Sequence, residues 1–202
     1  MALAHVAHAL GADEARRRMA PVLGDEQCRA LLSVMGRAQF SPLTSSCGRL
    51  FDAVASLLGV RHKVTYEGQA ACELEAICAR GEEEIYEFDY DGDAIRVAPL
   101  VAGVCRDIDA GVDRRRIAAR FHNSIAAIII EVCVRLCRES GLRTVGLSGG
   151  VMHNNYLLDR AVPALEREGF EVLLHQLVPP GDGGICLGQV ACAIARVTGP
   201  ND

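Results

Sequence analysis

At 202 residues, half of them hydrophobic, the chain is long enough to bury a core and reads as one globular domain or two small lobes. A formal net charge of −5 excludes a nucleic-acid surface built from bulk positive charge and directs attention to small molecules and proteins as partners. No stretch reads as apolar for long enough to cross a bilayer, and the amino terminus lacks the basic-then-apolar layout of a secretion signal, so the expected compartment is cytoplasmic, with no membrane and no nucleic-acid partner.

The first forty residues read as a helical lead-in: "ALAHVAHALG" stops at Gly11 and "EQCRALLSVMGRA" near Arg37, joined by a polar stretch containing Pro21 and Gly24. His5 and His8 stand three apart with no acidic ligand beside them, so they read as ordinary helix residues and not as a metal pair. In "SPLTSSCGRLFDAVASLLGV" Pro42 breaks the chain, hydroxyls from Thr44 to Ser46 offer an N-cap, and Leu50, Phe51, Val54, Leu57 and Leu58 recur with helical period. A helix over 46–58 follows, with Gly48 and Asp52 together on the side opposite the apolar stripe. "YEGQAACELEAICARG" sets Gly68 at a turn, points Leu74, Ile77 and Cys78 inward and turns Glu73 away. "EIYEFDYDGDAIRVAP" alternates apolar and polar residues about Asp91-Gly92, a strong hairpin signal.

From 114 to 139 a long helix is expected, with Ile117, Phe121, Ile125, Ile128 and Val132 on its buried face and Gly141 as the stop. Strand "RTVGLS", helix "NNYLLDRAVPALEREG", strand "FEVLLHQ" and helix "GICLGQVACAIARV" complete the chain. The order predicts an α/β fold with one mixed sheet flanked by helices. Nine cysteines, an odd number without a C-x-x-C pair, lie inside apolar runs and read as reduced core thiols. Cys133 and Cys137, at i,i+4 spacing, make only half a metal site.

Two loops carry candidate chemistry. "VGLSGGVMHNN" sets Ser148, Gly149 and Gly150 directly after a strand and before a helix, where glycine N–H groups can wrap an anion at the strand end. A Gly-Gly turn is also a simple exit from a strand, and the residues alone weigh the two readings evenly. No Walker lysine and no G-x-G-x-x-G spacing is present, and Asn154 reads as a helix cap. "PPGDGGICLGQ" repeats the construction one strand later, with Asp182 at a helix start, where it either caps the helix or ligates a divalent cation. Two glycine loops at neighbouring strand ends, with Asp52 and Glu73 turned off the apolar faces, favour a converging site over four coincidences.

In order along the chain, "SSCGRLFDAVASLLG", "EGQAACELEA", "RFHNSIA", "LSGGVMHNNYLL" and "PPGDGGICLGQVACA" resemble the carboxyl-terminal part of the HypF carbamoyltransferases, hydrogenase maturation proteins, over nearly everything from about Ser41 onward. That part of the family is similar to the threonylcarbamoyl transferase TsaD and belongs to the actin, sugar-kinase and Hsp70-like ATPase fold. The resemblance implies a helical lead-in over 1–40 and a nucleotide-binding, RNase H-like carboxyl-terminal lobe over 41–202. It implies that Gly48, Asp52, Gly68 and Glu73 surround the adenosine, the two carboxylates being suited to ribose hydroxyls. Ser148, Gly149 and Gly150 meet phosphates, Asn154 touches the nucleotide and Asp182 ligates a metal, while no catalytic residue is assigned.

The implied cofactors are ATP or carbamoyl adenylate, with AMP as the leaving group, and a divalent metal such as Mg, Zn or Fe. The implied partner is a HypE-like maturation protein, whose carboxyl-terminal cysteine receives the carbamoyl group on the way to the cyanide ligands of nickel–iron hydrogenase. The acylphosphatase-like, zinc-finger and adenylate-forming regions of the family, and the first-lobe segment with its paired metal-binding histidines, do not occur in this sequence. The chain is therefore expected to act as a fragment that binds nucleotide weakly without turnover, leaves Asp182 to cap a helix, and self-associates through the face meant for its missing N-terminal lobe. Gly181 where an Asn is common, Cys47 where Ala is usual, and "MHN" for Phe-Gln-Asn are departures from the family pattern. Two alternatives from other classes are a sugar-kinase-like ATPase lobe and a non-catalytic docking or dimerisation module.

Overall fold

Positive-φ glycines punctuate the start of the chain: Gly11 (φ 92°) and Gly24 (φ 86°) separate three helices, α1 (Ala2–Leu10), α2 (Ala12–Leu23) and α3 (Asp25–Met35). The computed structural model describes residues 1–198 and falls into two compact units, Met1–Val132 and the residues from Cys133 onward. The boundary lies inside one continuous helix, α7 (Arg114–Ser140).

In the first unit α4 (Cys47–Leu57) and α5 (Gln69–Ala76) lie within the expected segments. The polar stretch expected between the first two helices is itself a helix, α2. Pro21 is tolerated because it sits in the last turn, and Glu14 ties the Arg-rich middle together by accepting from Arg17 (2.6 and 2.8 Å) and Arg18 (2.6 Å). The hydrogen bond from Arg17 comes first in holding the Glu14 carboxyl down at about 2. Arg18 also reaches Asp109 on α6 (Ala98–Asp109), a second helix beyond those expected from the sequence, which carries Pro99 in its first turn and buries Leu100, Val101, Val104 and Cys105. Helix α1 packs against α2, α4 and α6.

The core of this unit is an aromatic group: Phe51 and Phe121 meet edge to face at 4.8 Å, and His122, fully buried, stands edge-on to both. Helix α7 also clamps the segment from Glu82 to Tyr86. Asn123 Nδ2 donates to the carbonyls of Glu82 (2.9 Å) and Glu84 (3.2 Å), and the Tyr86 N–H donates to Ser124 Oγ at 2.7 Å.

The Tyr86 ring lies so close to α6 that a Cβ at Gly103 would stand 2.6 Å from it, while the phenol donates to Asp107 at 2.7 Å and cannot swing aside freely. Alanine in a helix interior gains about 1 kcal/mol over glycine, but overpacking costs about 1–3 kcal/mol. Gly103→Ala is thus expected to lower the urea midpoint; a higher midpoint would mean that the ring yields.

The expected hairpin forms from β1 (Asp89–Tyr90) and β2 (Ile95–Arg96), paired antiparallel with Asp89 opposite Arg96. Asp91 closes its turn by accepting from the N–H groups of Ala94 and Asp93 and from Arg96, bonds that hold its carboxyl at about 2.

In the second unit β3 (Thr144–Leu147) and β4 (Glu171–Leu174) pair in parallel, joined by the crossover helix α8 (Asn155–Arg167), whose Leu157, Ala161 and Leu165 at i,i+4 spacing are fully buried. Among the described residues the four strands form two separate two-stranded sheets and not the single mixed sheet expected. Strands β1 and β2 are two residues long, too short to template further pairing. The α/β character stands; the extended sheet does not. A last helix, α9 (Ile185–Thr198), follows the β4 loop with every residue exposed.

Two other expectations need correction. Helix α7 contains an 18-residue window of mean hydropathy 1.5, so by length and composition one helix among the described residues could cross a membrane. That window is 56% buried inside the molecule, as befits a core helix. All nine cysteines are free, but only Cys28 and Cys105 are buried, while Cys47, Cys72, Cys186 and Cys192 are exposed; a run of apolar neighbours does not make a core position at a helix end or on α9.

Candidate functional site

The first unit holds four of the candidate residues. Gly48 and Asp52 lie one turn apart on α4, both half-buried, and Asp52 is 3.5 Å from Arg49 on the same helix. Gly68 takes a left-handed conformation (φ 79°) as the N-cap of α5, which a side chain would strain. Glu73 is already engaged: Arg61 grips it through Nε (2.8 Å) and Nη2 (2.5 Å), and Gln69 Nε2 adds a third bond at 3.0 Å. The Arg61 bond is foremost in lowering the Glu73 pKa. Gln69 is in turn fixed by the N–H and hydroxyl of Thr65. A ribose hydroxyl reaching Glu73 therefore meets a carboxylate held rigid by a cation, with one side occupied. Arg61, Gln69 and Thr65 carried no local signal in the sequence.

The second unit holds the rest. Ser148, Gly149 and Gly150 leave β3 and enter a short 3-10 turn, Gly150–His153, before α8. Gly149 has φ 102°, so its backbone needs glycine. The glycine N–H groups were expected to be open to an anion. Instead the Gly149 N–H donates to the carbonyl oxygen of Pro180 at 2.8 Å, because the β4–α9 loop folds back over the turn. The Ser148 hydroxyl donates to the same oxygen at 3.3 Å and meets Nε2 of His175, just past β4, at 2.9 Å.

Asn154 is buried and caps α8, its Oδ1 accepting from the Leu157 N–H at 2.8 Å. Asp182 was expected to cap a helix, but it opens a separate 3-10 turn, Asp182–Gly184, ahead of α9. Beside it a Cβ at Gly181 would lie 3.2 Å from Nε2 of His153, which brings a second imidazole to the loop. Among the described residues no group of three His, Cys, Asp or Glu side chains could hold a metal ion. The donors among the described residues do not fit a metal centre, since Asp182 alone cannot complete a coordination shell.

A strand-end glycine turn backed by a serine, a histidine and a second glycine loop is suited to binding an anion and carries no nucleophile activated by a buried base. Residues 1–189 match the family model described as the carbamoyltransferase Kae1-like domain, second subdomain. The chain belongs to the HypF carbamoyltransferase family. The carbamoyltransferase HypF of Synechocystis sp. is 39% identical over 162 residues, covering 76% of this chain and 20% of that protein. The probable HypF of Methanocaldococcus jannaschii is 31% identical over 173 residues, covering 85% of this chain and 23% of that protein. A crystal structure of full-length HypF in its phosphate- and nucleotide-bound form superposes with a TM-score of 0.87 at 34% identity, over 98% of this chain and 26% of that one. The chain thus spans about a quarter or less of these HypF proteins.

Proposed function

We propose that the chain is the nucleotide-handling, carboxyl-terminal part of a HypF-type carbamoyltransferase, acting in the cytoplasm. In this reading it holds carbamoyl adenylate, or ATP, while the carbamoyl group passes to the carboxyl-terminal cysteine of a HypE-like partner. The thiolate attacks the carbamoyl carbon, a C–S bond forms, the C–O bond to the phosphate breaks, and AMP leaves with the electron pair. The superposition with a HypF structure in a phosphate- and nucleotide-bound form carries the proposal.

Gly48, Asp52, Gly68 and Glu73 are assigned to the adenosine; Ser148, Gly149, Gly150 and Asn154 are assigned to the phosphates and the rest of the nucleotide. Such a transfer asks the protein to orient the ester and stabilise a departing phosphate through fixed N–H and O–H donors. A RNase H-like lobe of the actin and sugar-kinase ATPase fold is the architecture this reading assumes. Asp182 would ligate a metal only together with ligands from outside these residues, and no step depends on it.

Helix α9 favours an additional docking role. Ile185, Leu187, Val190, Ile194 and Val197 are all exposed, which suits a surface covered by another lobe of the same protein or by a second copy of the chain.

Calorimetric titration with ATP, AMP and adenosine tests the assignment. Asp52→Ala is expected to weaken adenosine and AMP alike by about tenfold or more, as expected for loss of a charge-assisted hydrogen bond. Absence of binding in both the wild-type and the variant chain would remove the nucleotide reading and leave only docking.

A further inference from the structure

Ser148 Oγ has one proton and two partners. With that proton donated to the Pro180 carbonyl at 3.3 Å, the 2.9 Å contact with His175 is completed by a hydrogen on Nε2 of the imidazole. In this arrangement His175 donates to Ser148, and Ser148 donates onward. The receiving oxygen is unusual in accepting from two groups of the same turn, the Ser148 hydroxyl and the Gly149 N–H at 2.8 Å. Both donors converge on one point, and a neutral backbone carbonyl occupies it. An anionic oxygen at that point would be bound more strongly by the same donors.

We propose that His175 is a positioning residue for phosphate binding, fixing the Ser148 hydroxyl so that an incoming phosphate oxygen replaces the Pro180 carbonyl as its acceptor. The inference rests on the nucleotide reading above and adds to it a residue 27 positions from the serine. Without the imidazole, the hydroxyl would rotate among staggered positions and its proton would point at the anion only part of the time. No bond is made or broken; one hydrogen-bond acceptor is exchanged for another, while Nε2–H keeps the serine oxygen in place and polarises its proton. The exchange requires the Pro180 carbonyl to withdraw, and the Leu177 side chain on the same loop, fully in solvent, makes no packing that opposes it.

The full chain is titrated with tripolyphosphate and, separately, with adenosine, as wild type, Ser148→Ala, His175→Ala, His175→Gln and the Ser148→Ala/His175→Ala double variant. Tripolyphosphate is expected to bind the wild type and to bind Ser148→Ala and His175→Ala each about tenfold more weakly. The double variant should be no weaker than Ser148→Ala, because His175 acts through that serine. His175→Gln, whose Nε2 can donate from a similar distance, should recover most of the loss. Adenosine affinity and melting temperature should be the same in all five, which a merely structural role for His175 would not permit.

Unchanged tripolyphosphate affinity in His175→Ala overturns the proposal, and so do losses that multiply in the double variant. A wild-type chain that binds adenosine but not tripolyphosphate overturns it while sparing the nucleotide reading, and one that binds neither overturns both. The expected tripolyphosphate pattern without adenosine binding upholds the role of His175 and removes the adenosine half of the reading.

Discussion

Replacing Arg120 by Met is expected to destabilise the first unit by about 3–5 kcal/mol, the usual cost of removing one partner from a buried ionic cluster. Arg120 is only 12% exposed along its side chain and answers three carboxylates. It donates to Asp107 at 2.9 Å and pairs with Glu84 at 2.6 Å, and its Nε lies 3.4 Å from Glu82, close enough for charge attraction but without hydrogen-bond geometry. Glu82, 6% exposed, keeps Arg116 at 2.7 Å, but among the described residues Asp107 would retain only the Tyr86 hydroxyl.

The damage should therefore centre on the Tyr86–Asp107 end and release the segment that α7 clamps. Thermal unfolding should show a drop of about 10 °C for a chain of this length. Burial raises the Glu82 pKa, yet the Arg116 bond and the neighbouring charges outweigh it and leave the value lowered. The stabilisation from Glu82 is present above the ordinary carboxylate pKa and is lost as pH falls through the lowered one. A variant within a degree of the wild type would mean that the cluster contributes nothing net.

The second large effect is acid sensitivity from His122. Burial lowers its pKa from 6.5 to about 4, despite the 2.7 Å contact of Nδ1 with the Ala118 carbonyl. A histidine whose folded pKa lies below its unfolded value stays neutral in the native state while the unfolded chain takes up a proton. Stability is then complete above pH 6.5 and falls as pH drops from 6.5 towards 4, by about 3 kcal/mol in all. Carboxylates dominate only below that window, so the slope between pH 6.5 and 5 belongs to the imidazoles of His122 and of His5, whose pKa burial also lowers. Denaturant unfolding across that interval should show it in the wild type, and His122→Leu should make it shallower whatever its stability at neutral pH. An unchanged slope in the variant would sink the assignment.

Much of the fold was legible because the signals were local. Helix α4 announced itself through five apolar residues at helical spacing, and the hairpin through Asp91-Gly92. In the second unit each element is bounded by glycine or proline. Helix α2 escaped because Pro21 and a run of arginines masked a short apolar stripe, and α6 because "PLVAGVC" looks equally suited to a strand or a helix. The glycine loops could be located but their state could not. Nothing near Gly149 in the sequence says that its N–H is spent on Pro180, 31 positions later, nor that Glu73 is gripped by Arg61, nor that His175 meets Ser148. Those contacts depend on which strand ends and helix ends are brought side by side, information that no window of neighbouring residues contains.

Helix α9 has a consequence for energetics. Its apolar side chains are in water in the native chain, so unfolding exposes little new surface there. The heat-capacity change and the denaturant slope of the second unit must come mainly from α8 and the parallel strand pair. Covering α9 would add to both quantities at once, so the stability curve of the chain would become steeper with that helix sheltered than with it bare.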